Sequence, residues 1–370
     1  MMNQKKEKIE ERYKEWVETE EQMHGKKMKK NEKKIGMQKN MTKAIGLFSG
    51  GLDSTIATQL ILDQGIEVIG LNFKTPFTES CWALKMADKL EIELRVIETD
   101  EGYIEIVKEP EHGYGKNMNP CIDCRIFMLK KAKELMNKEK AEFVFTGEVL
   151  GERLMSQRKR QLELTERKSG LKGLLLRPLS AKLLDSTIPE KEGIVDREKL
   201  LALRGKRRKV QIKLVNEFGI KEYATPAGGC RLTDPQFSKR LKEELEHGED
   251  DETEIELLKY GRHFRLLSGK KVVVGRDKEE NEIISDLARA DDLLFEVIGF
   301  SGPITLLEDS KSEKSEKSEK DTEIAASLCA RYSDCESDRV EVRMGWKGKW
   351  EKSIWVEPAK EKFIRKSRVG

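Results

Sequence analysis

Three sets of residues in this chain have the types and spacing to do chemistry. The first is Ser49-Gly50-Gly51-Leu52-Asp53-Ser54. Paired glycines let the backbone turn tightly and approach a ligand closely. Amide N–H groups at the start of a following helix then point at an anion, with the helix dipole behind them. Ser49 and Ser54 add hydroxyl donors. Asp53 would repel an uncompensated phosphate, so it suits a Mg²⁺ bridge or a helix cap. Neither the Gly-Lys-Ser/Thr of a Walker loop nor GxGxxG is present. The second set is cysteine. Cys121 and Cys124 form CxxC just before a helical stretch, and Cys230 follows a Gly-Gly pair more than one hundred residues later. A CxxC can chelate one metal or cluster, and a third thiolate can come from a distant loop. Placement at a helix start lowers a thiol's pKa. Three thiolates would leave one iron of a four-iron four-sulfur cluster without a protein ligand. The rival chemistry is a persulfide on one cysteine, resolved by another through disulfide exchange. No fourth Cys or His sits nearby in sequence to complete a structural zinc site, and Cys329 and Cys335 have no spacing that suggests one.

The third set is basic: Arg153, Arg158, Lys159 and Arg160, then Arg204-Gly205-Lys206-Arg207-Arg208-Lys209. Lys and Arg neutralise phosphates and give salt-dependent, sequence-independent affinity for nucleic acid. A solvated helix face is the ordinary reading of any one cluster. Two clusters that each follow a suspected site segment point to RNA contact at Arg153, Arg158, Lys206, Arg207 and Arg208.

The elements that must position these groups alternate. Ala44–Phe48, Val68–Phe73, Leu94–Ile97, Phe143–Thr146 and Leu174–Leu176 read as strands, and Asp53–Gln64, Ser80–Leu90 and Cys121–Met136 as helices. Such alternation predicts an α/β fold, a parallel sheet with helices on both faces. Ligands then bind beyond the carboxyl ends of the strands. The informative loops are therefore Ser49–Ser54, Phe73–Phe77 and Thr146–Gln157, where Thr146 and Gly147 let a nucleotide approach. After Pro178 the pattern becomes helical, with helices expected over Asp196–Leu203 and Lys206–Phe218, and Pro226–Gly229 breaks the chain before Cys230. The spacing predicts a charged tail over 1–42 and a nucleotide-binding domain over 43–180. A helical extension carrying Cys230 follows over 181–257. A β-rich α+β domain over 258–307 and 322–370 is interrupted by a disordered Ser-Glu-Lys linker at 308–321.

Composition narrows the class. The chain has 370 residues, 71 Lys+Arg and 68 Asp+Glu, for a formal charge of +3. Charged residues make up 38%, against about 25% in an ordinary soluble protein. No apolar run approaches the roughly 20 residues of a membrane span. The charged N-terminus is no secretory signal, so a cytoplasmic protein without a membrane partner is expected. Nothing in the sequence sets an oligomeric state.

The run AIGLFSGGLDSTIA resembles the SGGxDS loop of the PP-loop ATP pyrophosphatases, whose fold is of the adenine nucleotide alpha hydrolase type. The resemblance implies that ATP, with Mg²⁺, is cofactor and substrate. Ser49, Gly50, Gly51, Asp53 and Ser54 would bind pyrophosphate, and the strand end Leu71–Phe73, with Phe73, would hold adenine. Thr146–Gln157 is similar to the TGExLGQxxSQ segment of the tRNA 4-thiouridine synthases, apart from Glu152 where Gln is usual. Asn119-Pro120-Cys121-Ile122-Asp123-Cys124 resembles the cysteine loop of tRNA-thiolating enzymes. This resemblance spans about residues 43–235. It implies an ATP-dependent tRNA sulfurtransferase that adenylates a uridine carbonyl oxygen and replaces AMP with sulfur. Its partners would be tRNA and a sulfur donor, a cysteine desulfurase or free sulfide. Asp53, Cys124 and Cys230 would be catalytic, with Cys121, Cys124 and Cys230 as cluster ligands. Those synthases carry an RNA-binding region at their N-terminus for which residues 1–42 are too short. A replacement is offered by Val272–Asn281, which is similar to the Gly-Arg and Glu-Asn motif of the NFACT-R domain, proposed to bind RNA. The alternatives are a PP-loop ligase acting on a small metabolite, which leaves the cysteines unexplained, and a non-catalytic RNA-binding translation factor, which leaves SGGLDS unexplained.

Overall fold

A computed structural model of the chain describes residues 42–78, 81–99, 101–223, 230–248, 251–308, 316–347 and 349–370. The charged tail up to 41, the Pro226–Gly229 break and residues 309–315 of the expected linker lie outside the described residues.

Five short apolar runs pair in parallel as β1 (Lys43–Leu47), β2 (Glu67–Lys74), β3 (Glu93–Glu98), β4 (Phe143–Thr146) and β5 (Leu175–Leu176), in the order β3-β2-β1-β4-β5. β1 is central and fully buried beyond Lys43 because alternate residues serve opposite faces. Ala44 and Phe48 pack with Ile56 and Ile61 of α1 (Leu52–Leu62) and Met86 of α2 (Cys81–Lys89). Ile45 and Leu47 pack on the other side with Leu129, Ala132 and Met136 of α4 (Cys121–Glu139). Between β3 and α4 lies α3 (Glu101–Lys108), and α5 (Lys159–Lys168) follows β4. The chain runs outward from β1 to β3, then returns to β4 on the other side of β1. The loops after β1 and β4 therefore diverge at a switch point, where α/β sheets open a crevice for ligand.

The following segment is less helical than the sequence predicts. It contains α6 (Ile188–Lys191), α7 (Lys209–Glu217), α8 (Pro235–Glu246) and α9 (Glu252–Leu257). The helix expected over Asp196–Leu203 shrinks to a single 3₁₀ turn at Arg197–Lys199. The apolar Leu200–Leu203 run is extended instead. Leu201 and Leu203 donate backbone hydrogen bonds to Pro178 and Leu179 carbonyls at 3.0 and 2.8 Å, so Leu200 is buried beside the first sheet.

The second sheet is antiparallel and seven-stranded: β6 (Arg262–Arg265), β7 (Lys271–Val274), β8 (Leu293–Val297), β9 (Thr305–Leu307), β10 (Val340–Trp346), β11 (Lys349–Val356) and β12 (Arg368–Val369), ordered β11-β10-β8-β9-β7-β6-β12. With it go α10 (Lys278–Leu287), α11 (Glu316–Arg331) and α12 (Glu361–Ser367). Both ends of the expected 308–321 linker are ordered. Glu308 pairs with Lys271 Nζ at 2.6 Å, and residues 316–321 are the first turns of α11. That helix docks Ala325, Ala326 and Leu328 in the sheet's core, and helix propagates cheaply from a docked stretch. A charged cluster ties α8 to this sheet. Glu244, fully buried, is ion-paired to Lys271 and to Arg265 Nη2, the latter at 3.1 Å, while Arg265 Nε reaches Glu243 at 2.7 Å.

Candidate active site

The carboxyl end of β1 delivers the phosphate loop to the crevice. Gly50 has φ +68°, and a Cβ there would lie 2.2 Å from the Trp82 carbonyl oxygen, so only glycine lets the loop seat against α2. Gly51 caps α1 without a side-chain acceptor, which leaves the first-turn amides to an anion. Ser54 Oγ donates to the Gly51 carbonyl at 3.0 Å and lies 3.3 Å from Ser49 Oγ. From β4, Gly147 closes on the same loop, where a Cβ would stand 2.6 Å from the Asp53 carbonyl carbon. Asn72 Nδ2 donates to the Phe48 carbonyl at 2.8 Å and locks the ends of β1 and β2 together.

Above the strand ends lies a cavity of about 300 Å³. Ser49, Asp53, Ser54, Leu71–Phe73, Gly147, Arg153, Cys121, Cys124 and Cys230 all line it. Sequence positions more than a hundred residues apart thus share one chamber. Thr146 stays behind the wall, 1% exposed, and its hydroxyl donates to Glu148 Oε2 at 3.1 Å. The Phe73 ring is buried against Phe127, with centroids 6.3 Å apart.

The cysteines are held by hydrogen bonds that the spacing alone does not reveal. Asn119 Nδ2 donates to Cys121 Sγ at 3.2 Å, and Tyr103 Oη lies 3.3 Å from Cys124 Sγ. His112 fastens the start of α4: its Nδ1 is 2.6 Å from Asp123 Oδ1, and its backbone N–H donates to Oδ2 at 3.0 Å. Among the described residues, Glu111, His112 and Asp123 are the one trio of ligating side chains with donor atoms within 4.8 Å of one another. Cys121, Cys124 and Cys230 do not form such a trio, so their sulfurs do not all lie within 4.8 Å of one another, too wide for all three to hold one tetrahedral zinc as they stand. Helix-start placement does not lower the Cys124 thiol: burial pushes it above its ordinary value, against the Tyr103 hydroxyl. Burial likewise pushes Cys230 up to about 12. Desolvation of the charged form is the largest cause at both thiols. Cys329 lies in the core of the second sheet and Cys335 packs against it, away from this cavity.

Two ionic networks frame the chamber. Glu148, 3% exposed, accepts from Arg177 Nε and is ion-paired to Arg125 Nε, each at 3.2 Å. Against the cost of burial, these two guanidinium groups hold its carboxyl below the usual range. On the other side, Arg208 is ion-paired to Glu152, and its Nη2 is 3.6 Å from Asp53 Oδ2. Burial, then the Glu152 charge, push the Asp53 carboxyl up to about 6. Of the five residues expected to touch RNA, Arg153 stands at the cavity wall, and Arg158, Lys206 and Arg207 are exposed. Arg208 is instead committed inward. Asn119, Tyr103, Arg125, Glu148 and Gln211 complete the site. Asn119 and Glu148 lay in the recognised segments, whereas Tyr103, 21 residues from Cys124, gave no sequence signal. In the second sheet, the Gly275-Arg276…Glu280-Asn281 motif is knitted together. Arg276 pairs with Glu280, Asn281 Oδ1 accepts from Ile304 N–H at 2.9 Å, and a Cβ at Gly275 would strike that same oxygen.

A parallel sheet with a glycine turn at its switch point, opening on a cavity that three thiols also line, defines a nucleotide-binding type of α/β domain. Residues 39–185 match the family model described as Thiamine biosynthesis protein (ThiI), and residues 261–367 that described as NFACT protein RNA binding domain. The chain joins a ThiI-type PP-loop domain to an NFACT-R-type domain. The tRNA-specific 2-thiouridylase MnmA of Petrotoga mobilis is 31% identical over 130 residues, which cover 29% of this chain and 35% of that one. The tRNA-specific 2-thiouridylase MnmA 2 of Fusobacterium nucleatum is 34% identical over 115 residues, covering 29% and 34%. The chain spans about a third of the length of these curated relatives. A solved complex of a 4-thiouridine synthetase with RNA and bound ATP is 18% identical, covers 50% of this chain and 54% of that one, and gives a TM-score of 0.32. Among the described residues no helix is long and apolar enough to cross a membrane.

Proposed function

We propose that this protein is an ATP-dependent tRNA sulfurtransferase that makes a thiouridine. The observation that carries the reading is the single cavity shared by the phosphate loop and by Cys121, Cys124 and Cys230. The glycine cradle, the first-turn amides of α1 and the Ser49 and Ser54 hydroxyls bind the pyrophosphate of ATP, with Asp53 reaching it through Mg²⁺. Backbone groups at the end of β2 hold adenine. A uridine carbonyl oxygen attacks the α-phosphorus and pyrophosphate leaves. A sulfur nucleophile then adds to the activated carbon, and AMP departs with the oxygen. The thiols, with a hydrogen-bond donor aimed at Cys121 and the Tyr103 hydroxyl beside Cys124, fit a four-iron four-sulfur cluster, whose sulfurs a protein tunes through such neighbours. Such a cluster, when bound, supplies sulfide at an iron without a protein ligand. Without a cluster, Cys230 carries a persulfide that Cys124 or Cys121 resolves as a disulfide. A cysteine desulfurase supplies sulfane sulfur for the persulfide route, free sulfide serves only the cluster route, and the work is cytoplasmic. Arg153, Arg158, Lys206, Arg207 and the second sheet receive the tRNA.

Mass spectrometry of tRNA nucleosides from a deletion strain tests this reading. One thiolated uridine should disappear and return when the gene is restored. An unchanged nucleoside set overturns the reading and favours the small-metabolite ligase. The basic surface makes a second, graded expectation. Neutralising Lys206 and Arg207 should flatten the salt dependence of tRNA binding by up to about two ions' worth. Arg208, paired internally, should add nothing further. An unchanged slope in binding titrations would move the RNA surface elsewhere.

A further inference from the structure

We propose that Asp53, Glu152 and Gln211 form a divalent-cation site whose place Arg208 keeps until the cation arrives. The inference rests on the proposed use of Mg·ATP and adds two ligands to it. Two carboxylates converge on one nitrogen: Arg208 Nη2 is ion-paired to Glu152 and stands 3.6 Å from Asp53 Oδ2. Two carboxylates that share a site repel unless a proton or a cation lies between them, and Arg208 holds that cationic place here. All three side chains are withdrawn from solvent, at 19% exposure for Asp53, 8% for Glu152 and 21% for Arg208. Gln211 gives an independent sign. It is 1% exposed, its Nε2 donates to Asp53 Oδ1 at only 3.4 Å, and its Oε1 is buried without a partner. An orphaned amide oxygen is costly, and a half-turn of that amide would present it to a cation bound by Asp53. Magnesium takes oxygen ligands, commonly one or two carboxylates together with substrate phosphates. Glu152 is also the position at which the 146–157 segment departs from the pattern it resembles, and there it adds a charge. The main chain under Arg208 is pinned: Leu150 and Arg204 form a β-bridge, and Gly205 N–H donates to the Leu150 carbonyl at 2.8 Å. Displacement is therefore a swing of one side chain, which frees a guanidinium beside the phosphates.

The test uses Mn²⁺ alone, without ATP, titrated into the full chain, with free Mn²⁺ read by electron paramagnetic resonance. One ion per chain should bind and should be competed off by Mg²⁺. Glu152→Gln should weaken it by at least the roughly tenfold that even a supporting partner's loss costs. Gln211→Leu, which changes no charge, should weaken it severalfold and keeps the test open if Glu152→Gln fails to fold. Arg208→Met should tighten it. No Mn²⁺ binding by the wild type, or equal affinity in the wild type and both ligand variants, overturns the site. The sulfurtransferase reading fails separately, on the tRNA nucleosides.

Discussion

Changing Cys121, Cys124 or Cys230 singly to alanine is expected to reduce thiolation to background while ATP still binds. The three thiols meet in the cavity from two directions, Cys121 and Cys124 from the start of α4 and Cys230 from the cap of the 3₁₀ turn Arg231–Thr233. None lies on the phosphate loop, so nucleotide affinity should be untouched. Protein purified without oxygen should carry iron and sulfide, and each alanine variant should lose them. The buried, protonated thiols of Cys124 and Cys230 are poor nucleophiles as they stand, and a metal that displaces the proton is the ordinary remedy. Cys335→Ala, outside the cavity, should change neither iron content nor thiolation. Iron-free protein with full activity would discard the cluster and leave the persulfide route. Tyr103 and Asn119 then remain as hydrogen-bond partners that steady the sulfurs in either case.

Asp53→Ala should abolish AMP formation with the fold retained, since Asp53 is the one carboxylate on the phosphate loop. Its sign with pH is informative. The folded value of about 6 stands above the ordinary 3.8, so the folded protein binds this proton more tightly than the unfolded chain does. Stability from the group is fully present below about 3.8 and is lost as pH rises through about 6. Asp53→Asn should therefore stabilise the cation-free protein at pH 8 by on the order of 1 kcal/mol, and hardly at all at pH 4. Thermal melts at the two pH values check this. Activity that survives in Asp53→Ala would remove the loop's assignment, and a gain equal at both pH values would remove its electrostatic explanation.

Much of this site was legible because its chemistry is local in sequence. SGGLDS follows a buried run and precedes an apolar 3.6-residue repeat, so strand, turn and helix are each written in the same residues. The CxxC declared itself by spacing, and Cys230 by its thiol type beside a Gly-Gly pair. Tyr103 did not, because a phenol in a charged segment gives no hint of a sulfur 21 positions away. Arg208 was legible as a cation but not as an inward one. That depends on Glu152 reaching it across a turn that only the tertiary fold creates. Leu200–Leu203 misled in the other direction, since four apolar residues fit a helix face as well as an extended buried run.

The buried Glu244 has a consequence for how this chain can change. Its positive partners, Lys271 and Arg265, both stand on the second sheet, while it stands on the helix that follows Cys230. Cutting the chain between them would strand a carboxylate in a dry interior, a loss of about 3–5 kcal/mol, comparable with the whole margin of a small domain. The two sheets are therefore not cassettes that recombination can trade freely. A lineage that exchanged the C-terminal one for a different RNA-binding unit would have to neutralise Glu244 first, or inherit the pair together.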